Sequence, residues 1–532
     1  MEVYLLIFSA VTLICVMLNR VSSEFGIPTL FVFIVLGMLF GSDGIYKYSF
    51  HNYAFAEQIC SIALIIIMFS GGFGTNWNEA KPVAAKSFVL ATFGVVATAA
   101  VLAAFCYYIL KLDLFESMLI GSVISSTDAA SVFSILRSKR LGLRDNTASM
   151  LELESGSNDP CSYMLTIITL SIISGKVSTG DIIYMTFTQF SFGVLAGILI
   201  GIFAVFVLRN VQFSTDGIDM VFVIGIAIMS YALPSAIDGN GYLSVYITGI
   251  ILGNSRIKNK PSLVDFFNGI TGLAQMIIFF LLGLLAFPSQ LPSVFLTSFL
   301  IFLFLTFVAR PIAIFSLLTP AKCSLPQQLL VSFAGIRGAA SIVFAVMVIV
   351  DANSPRTDVF NITFCIVLLS IAFQGSLLPW ISRKLKMTDD DADVLKTFND
   401  YIGEVDVQFI KLALSDDHPW INMRIMDLTL PPDTLIVLII RDTKRIIPSG
   451  SSLLLENDVC VLSAPAFQGD SNIKLTEHKI AHNNKWKGKK ISEYSPNPDE
   501  LIVMIKRDGK SIIPRGSTTI NENDILVINK IL

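Results

Sequence analysis

Residues 151–165 read LELESGSNDPCSYML, a cluster of carboxylates, hydroxyls and an amide that runs directly into an apolar segment. On a helix Ser155 and Asp159 stand four apart, as do Glu154 and Asn158, so both pairs share one broad face. Pro160 has no amide hydrogen and frees the carbonyl of Gly156 beside the carboxylate. A carboxylate, a hydroxyl, an amide and free carbonyls are hard oxygen ligands. They suit a dehydrated monovalent cation far better than a soft metal.

The surroundings of this stretch decide the fold. The chain has 532 residues, of which 53% are hydrophobic and 15% charged, and its mean hydropathy is +0.69. A soluble domain carries about 25% charged residues. Residues 1–385 are apolar blocks with short polar breaks, whereas 386–532 has ordinary soluble composition. This pattern excludes a soluble enzyme and indicates an integral membrane protein with a soluble tail. The net charge of −3 and the lack of a basic stripe argue against nucleic acid as a partner. The seven cysteines form no CxxC pair and the four histidines no metal spacing in the membrane part, so neither zinc nor a disulfide framework is indicated.

About 20 apolar residues cross the hydrocarbon core. Thirteen spans are predicted, at 3–19, 27–42, 54–72, 86–110, 114–136, 150–174, 183–208, 219–236, 241–255, 265–287, 293–318, 325–350 and 358–384. The first starts Met-Glu without a basic leader or cleavage site, which reads as a span rather than a removable signal. The second and ninth are short and contain or end in glycine, so partial or broken helices are expected there. Fifteen Lys and Arg residues fall in alternate loops, including Arg137, Arg144 and Arg383, against four on the other side. Positive loops stay inside, which puts the tail in the cytoplasm of a plasma-membrane protein and the N-terminus outside.

Ionisable groups at mid-span cost about 2.5–3.5 kcal/mol each on insertion scales and default to functional hypotheses. The fifth span, GSVISSTDAASVFSIL (121–136), centres on Asp128 after Ser125, Ser126 and Thr127. Those residues divert hydrogen bonds to nearby backbone and predict an unwound stretch, which is tolerated at mid-membrane only where it lines a cavity. Asp128 can equally serve as the N-cap of a half-helix. The twelfth span, SFAGIRGAASIVF (332–344), holds Arg337 between glycines, with Glu154 the expected partner. Glu152 can be a solvated acid at the helix entry. Two spans interrupted near their centres, seven helices apart, predict inverted repeats 1–6 and 8–13 with crossed broken helices, as in a secondary transporter.

The strings STDAAS (126–131), ESGSNDP (154–160) and GIRGAAS (335–341), in that order, resemble the NhaP-type cation/proton antiporters of the first monovalent cation:proton antiporter family. The resemblance covers about residues 1–385. It implies an all-α polytopic fold of thirteen helices and a homodimer, in which a core domain moves elevator-like past a dimerisation domain. By matching motif, Asp159 would bind cation (K⁺ or Na⁺) and proton alternately, and Thr127, Asp128, Ser155 and Asn158 would complete the site. Glu154 and Arg337 would form a core ion pair. The Asn158-Asp159 pair resembles the electroneutral branch, and with one titrating carboxylate, one-for-one exchange is the simplest stoichiometry.

Residues 386–402 read as a linker. Beyond it Trp420–Leu462 aligns without gaps on Trp486–Ile528, an offset of 66, with 20 identities in 43 positions. Each copy alternates β-branched residues around a turn, which predicts a hairpin, followed by a second turn at Pro448-Ser449-Gly450 or Pro514-Arg515-Gly516. The copies, 403–466 and 467–532, resemble TrkA-C (RCK-C) modules in a small α+β tail. That resemblance implies dimerisation and a small regulatory ligand such as a nucleotide; a dimerisation clamp without a ligand is the competing reading, and no cofactor is required. A ligand-gated cation channel is the competing function for the whole chain, although no TVGYG-like filter string occurs. A membrane enzyme using Glu154 and Asp159 would need a nucleophile or metal set that the sequence does not offer.

Overall fold

The structure is a computed structural model. It describes residues 29–45, 50, 52–139, 141–175, 177–211, 217–255, 257, 259–351, 358–389, 407–414, 418–431, 434–441, 444–465, 474–480, 484, 486–493, 500–507, 510–512 and 514–530, with Ser9 and Leu13. The predicted first span (3–19) and most of the 386–402 linker therefore lie outside the described residues. The chain divides into two compact units, 1–404 and 405–532.

In the first unit, every predicted span from 27–42 onward coincides with a helix or an interrupted helix. In order these are α1 (Thr29–Phe40), α2 (Tyr53–Gly74), α3 (Ala84–Tyr108), α4 (Leu114–Ile124), α5 (Ala129–Ser138) and α6 (Thr147–Ile173). Then follow α7 (Thr179–Asn210), α8 (Ile218–Ser235), α9 (Gly241–Gly253), α10 (Lys260–Leu285) and α11 (Leu291–Leu318), and finally α12 (Leu325–Phe333), α13 (Ala339–Val350) and α14 (Val359–Lys384). Among the described residues, seven of these are long and apolar enough to cross a membrane, by length and composition. The helix α6 is long enough, with 27 residues, but Glu152, Glu154 and Asp159 make it polar. The short second and ninth spans are short continuous helices, α1 and α9, rather than broken ones.

Small residues bring these helices together where no hydrophobic drive operates between them in lipid. A Cβ on Gly37 of α1 would lie 2.8 Å from the Cα of Gly283 in α10, and one on Gly72 of α2 would lie 2.3 Å from the Tyr246 carbonyl of α9. Neither contact is possible for any larger residue. Outward faces stay apolar: α7 exposes Phe187, Phe190, Phe203 and Phe206.

The fifth and twelfth spans are interrupted as expected. Residues 125–128 separate α4 from α5, and 334–338 separate α12 from α13. The two breaks abut, because the Asp128 amide donates to the Ile336 carbonyl at 2.7 Å. Three other helices carry a π-turn: α3 at Leu90–Gly94, α11 at Leu305–Ala309 and α14 at Ser370–Gln374. Two short strands, β1 (Gly142–Leu143) and β2 (Thr388–Asp389), pair antiparallel, tying the α5–α6 loop to the segment that follows α14.

The second unit holds two four-stranded antiparallel sheets. The first contains β3 (Val407–Ala413), β4 (Leu435–Arg441), β5 (Lys444–Ile446) and β6 (Val459–Pro465) in the order β3-β6-β4-β5. The second contains β7 (Lys474–Lys479), β8 (Glu500–Arg507), β9 (Lys510–Ile512) and β10 (Ile525–Lys530) in the order β7-β10-β8-β9. The predicted hairpins are β4–β5 and β8–β9. The core of one copy (Leu414, Ile436, Ile439, Leu454, Cys460, Leu462) maps onto that of the other (Ile480, Ile502, Ile505, Ile520, Leu526, Ile528) at the 66-residue offset. Among the described residues the tail is β with two single 3₁₀ turns, Ile425–Asp427 and Ile491–Glu493.

Candidate functional site

The polar face of α6 lies against the break in the fifth span. Ser155 Oγ donates to the Thr127 carbonyl at 2.8 Å and accepts from the Ala129 amide at 2.8 Å. One turn further, Asn158 Nδ2 donates to Thr127 Oγ1 at 2.5 Å, and the Thr127 amide approaches Asn158 Oδ1 at 3.4 Å. Ser126 Oγ donates to Asp159 Oδ1. The spacing of 155, 158 and 159 along one helix face thus reads out Ser126 and Thr127 of the break and Ala129, the first residue of α5. Ser126, Thr127, Ser155 and Asn158 are buried, whereas Asp159 and Asp128 keep partial exposure. A carboxylate at the edge of a buried oxygen cluster can meet both water and a dehydrated ion.

Electrostatics explain why the break is stable. Asp128 caps α5, accepting from the Ala130 amide at 2.9 Å and from Ser131 Oγ at 2.6 Å, so an anion sits at the positive end of a half-helix. At the other side of the break Arg337 Nη1 donates to the Ser125 and Ser126 carbonyls at 2.8 and 2.6 Å, a cation at the negative end of α4. Gly338 makes this crossing feasible: a Cβ there would fall 2.3 Å from Asp128 Oδ2.

One expected pairing is corrected. Glu154 does not pair with Arg337; its carboxylate meets Arg310 of α11, with Nη2 at 2.7 Å from Oε1 and 2.9 Å from Oε2. Both side chains are buried. Arg337 is turned instead to the carbonyls of the break, because its flanking glycines place it inside the crossing. The signal for Arg310 was present in the sequence, a lone cation in the apolar string FVARPIAIF (307–315). Two other contributors had not been assigned to the site. Ser126 reaches Asp159 with its hydroxyl, and Tyr246 of α9 packs on Gly156, where a Cβ would lie 2.6 Å from the tyrosine ring and hydroxyl.

The oxygens of Asp159, Ser126, Thr127 and Ser155 form a hard, partly buried set without histidine or thiolate. Among the described residues no group of three His, Cys, Asp or Glu side chains is placed to hold a resident metal. Abutting helix breaks beside a partly exposed carboxylate and its oxygen neighbours define an ion-coupled secondary transporter. Residues 8–384 match the family described as "Sodium/hydrogen exchanger, transmembrane", and residues 475–528 match the TrkA-C domain. The chain belongs to the sodium/hydrogen exchanger family, as an NhaP-type antiporter with a TrkA-C tail. It is 32% identical over 476 residues to the K(+)/H(+) antiporter NhaP of Alkalimonas amylolytica, covering 88% of this chain and 83% of that one. It is 30% identical over 466 residues to the K(+)/H(+) antiporter NhaP2 of Shewanella oneidensis, covering 86% and 81%. The sodium proton antiporter MjNhaP1 of Methanocaldococcus jannaschii has the same fold, with a TM-score of 0.63 at 22% identity over 71% of this chain and all of that one.

Proposed function

We propose that this chain exchanges a monovalent cation, K⁺ in preference to Na⁺, for H⁺ across the cell membrane, one for one. The observation that carries this reading is the placement of Asp159, held by Ser126 against the break whose Thr127 carbonyl accepts from Ser155. A carboxylate without a cationic partner is poorly tolerated in a low-dielectric site. Either a proton or a cation neutralises it, and competition between the two couples their movements. Asn158 is bonded to Thr127 and adds no second titrating group, which supports electroneutral exchange. The preference for K⁺ is supported by two relatives named as K(+)/H(+) antiporters.

Alternating access would proceed elevator-like, with the bundle that carries the crossed breaks moving past a second bundle in a homodimer. Inverted repeats of spans 1–6 and 8–13 are supported by a second correspondence. The fourth and eleventh spans, α3 and α11, each carry a π-turn and stack on one another through Phe105 and Phe304 at 3.9 Å. The tail would be cytoplasmic, the N-terminus outside, and a small ligand such as a nucleotide would act through the tail. The pairing of β1 with β2 supports a route for that regulation, since the chain leaving α14 for the tail is hydrogen-bonded to the loop joining α5 to α6.

The deciding experiment measures proton flux in everted membrane vesicles on addition of K⁺ or Na⁺, with and without candidate nucleotides. Asp159→Asn is expected to reduce it to background. Exchange that persists in that variant would falsify the reading.

A further inference from the structure

Ser370 and Gln374 stand at the two ends of the π-turn in α14, where the Gly375 amide bonds to the Ser370 carbonyl five residues back. Such turns are rare, and they recur at functional sites. Here the contacts outside the helix are specific. The Arg337 amide donates to Ser370 Oγ at 3.0 Å, that hydroxyl donates to Gln374 Oε1, and Gln374 Nε2 donates to the Phe333 carbonyl at 3.0 Å. Phe333 ends α12 and Arg337 lies in the break, so two side chains of another helix satisfy backbone groups that the interruption orphaned. Both are buried. One residue on, a Cβ at Gly375 would approach Ile135 of α5 to 2.9 Å, so the π-turn also seats α14 against the second half of the other interrupted span.

We propose that Ser370 and Gln374 are positioning residues for the cation site, acting through Arg337. The proposal rests on the assignment of Asp159 above. The backbone of Arg337 is held by Ser370, and Ser370 by Gln374; the guanidinium of Arg337 in turn holds the Ser125 and Ser126 carbonyls, and Ser126 donates to Asp159. Neither positioning residue reaches Asp159. What they set is where the oxygens of the break stand, and discrimination between cations of different radius depends on those positions. Competition between proton and cation at Asp159 does not. Loosening the chain therefore weakens and blunts cation recognition while turnover continues.

The test uses the full chain in vesicles, with proton flux titrated against Li⁺, Na⁺, K⁺ and Rb⁺. Ser370→Ala is expected to raise KM for the preferred cation about tenfold, the effect of one lost hydrogen bond. It is also expected to draw the KM values of the four cations together, with the maximal rate held within about twofold. Ser370→Thr keeps the hydroxyl and is expected to retain wild-type KM and selectivity. Gln374→Leu should follow Ser370→Ala; if it does not accumulate in the membrane, the Ala/Thr pair at 370 decides. Unchanged KM and selectivity in Ser370→Ala overturns the proposal, and so does an equal fall in maximal rate for every cation at unchanged KM, the mark of a packing role alone. Asp159→Asn in the same vesicles keeps the two questions separate. Exchange surviving there removes the site assignment, whatever Ser370→Ala does.

Discussion

Asp159 and Glu154 lie five residues apart on α6 and do different work, and the difference comes from their partners. Glu154 is matched by a buried arginine and held; Asp159 has a serine hydroxyl and partial exposure. Removing one member of a buried ion pair costs about 3–5 kcal/mol, because the other charge is left uncompensated, whereas replacing both is often near neutral. Arg310→Met and Glu154→Gln are each expected to lower thermal stability in detergent by that order, and the double variant to recover most of it. Additive losses in the double variant would show that the two side chains do not act as a pair. At the neighbouring position, Asn158→Asp keeps an acceptor for Thr127 and introduces a second carboxylate beside Asp159. Cation binding is expected to survive and the charge moved per cycle to change; voltage-independent exchange in both forms would count against single-carboxylate coupling. The oxygen set was legible in the sequence because i, i+4 spacing on a helix is local. The partner of Glu154 was not, since two arginines lay in apolar blocks and only their placement in space chooses between them.

At the scale of elements, the two interruptions matter more than the helices around them. Each leaves orphaned backbone groups, and each is completed by the other: an amide of the first break meets a carbonyl of the second, and Arg337 of the second caps the carbonyls of the first. Gly338 is the residue this crossing cannot do without. A methyl group there would lie 2.3 Å from Asp128 Oδ2, and overpacking of this kind costs about 1–3 kcal/mol. Gly338→Ala is therefore expected to abolish exchange by displacing Asp128 from its cap, with a modest loss of thermal stability. A stable Gly338→Ala protein with wild-type flux would mean that the breaks do not press on one another in the working transporter. The positions of both breaks were readable from Ser-Ser-Thr-Asp and Gly-x-x-Gly. The π-turns were not readable, because a single inserted residue leaves the apolar periodicity of a helix almost unchanged.

The whole molecule joins a membrane unit to a soluble unit built twice over. The repeat extends to electrostatics. Arg441 grips Asp458 through two bonds of 2.8 Å, and Arg507 grips Asp524 in the same way at the 66-residue offset. The Arg441 guanidinium holds the Asp458 carboxyl below its usual range. Burial works in the opposite direction at Asp524, but Arg507 and the Asn521 amide outweigh it and hold that carboxyl low as well. A carboxyl lowered in the folded state contributes stability that is full above its unfolded value, about 3.9, and is lost as pH falls through the folded value. The tail's own unfolding transition, followed by calorimetry on the full chain, is expected to hold at neutral pH and to drop below about pH 4. Arg441→Ala and Arg507→Ala should each flatten that drop. An acid sensitivity identical in wild type and both variants would place its origin elsewhere in the tail.

By itself the sequence determined the membrane unit, the tail repeat and the face of α6 that carries Asp159. Apolar run length, residue spacing along a helix and self-similarity are properties of one dimension. Tertiary structure alone decided which arginine neutralises Glu154 and that Ser370 and Gln374 support the break in the twelfth span. Those outcomes turn on distances of about 3 Å between hydrogen-bonding atoms on helices far apart in the chain, and packing in three dimensions sets such distances.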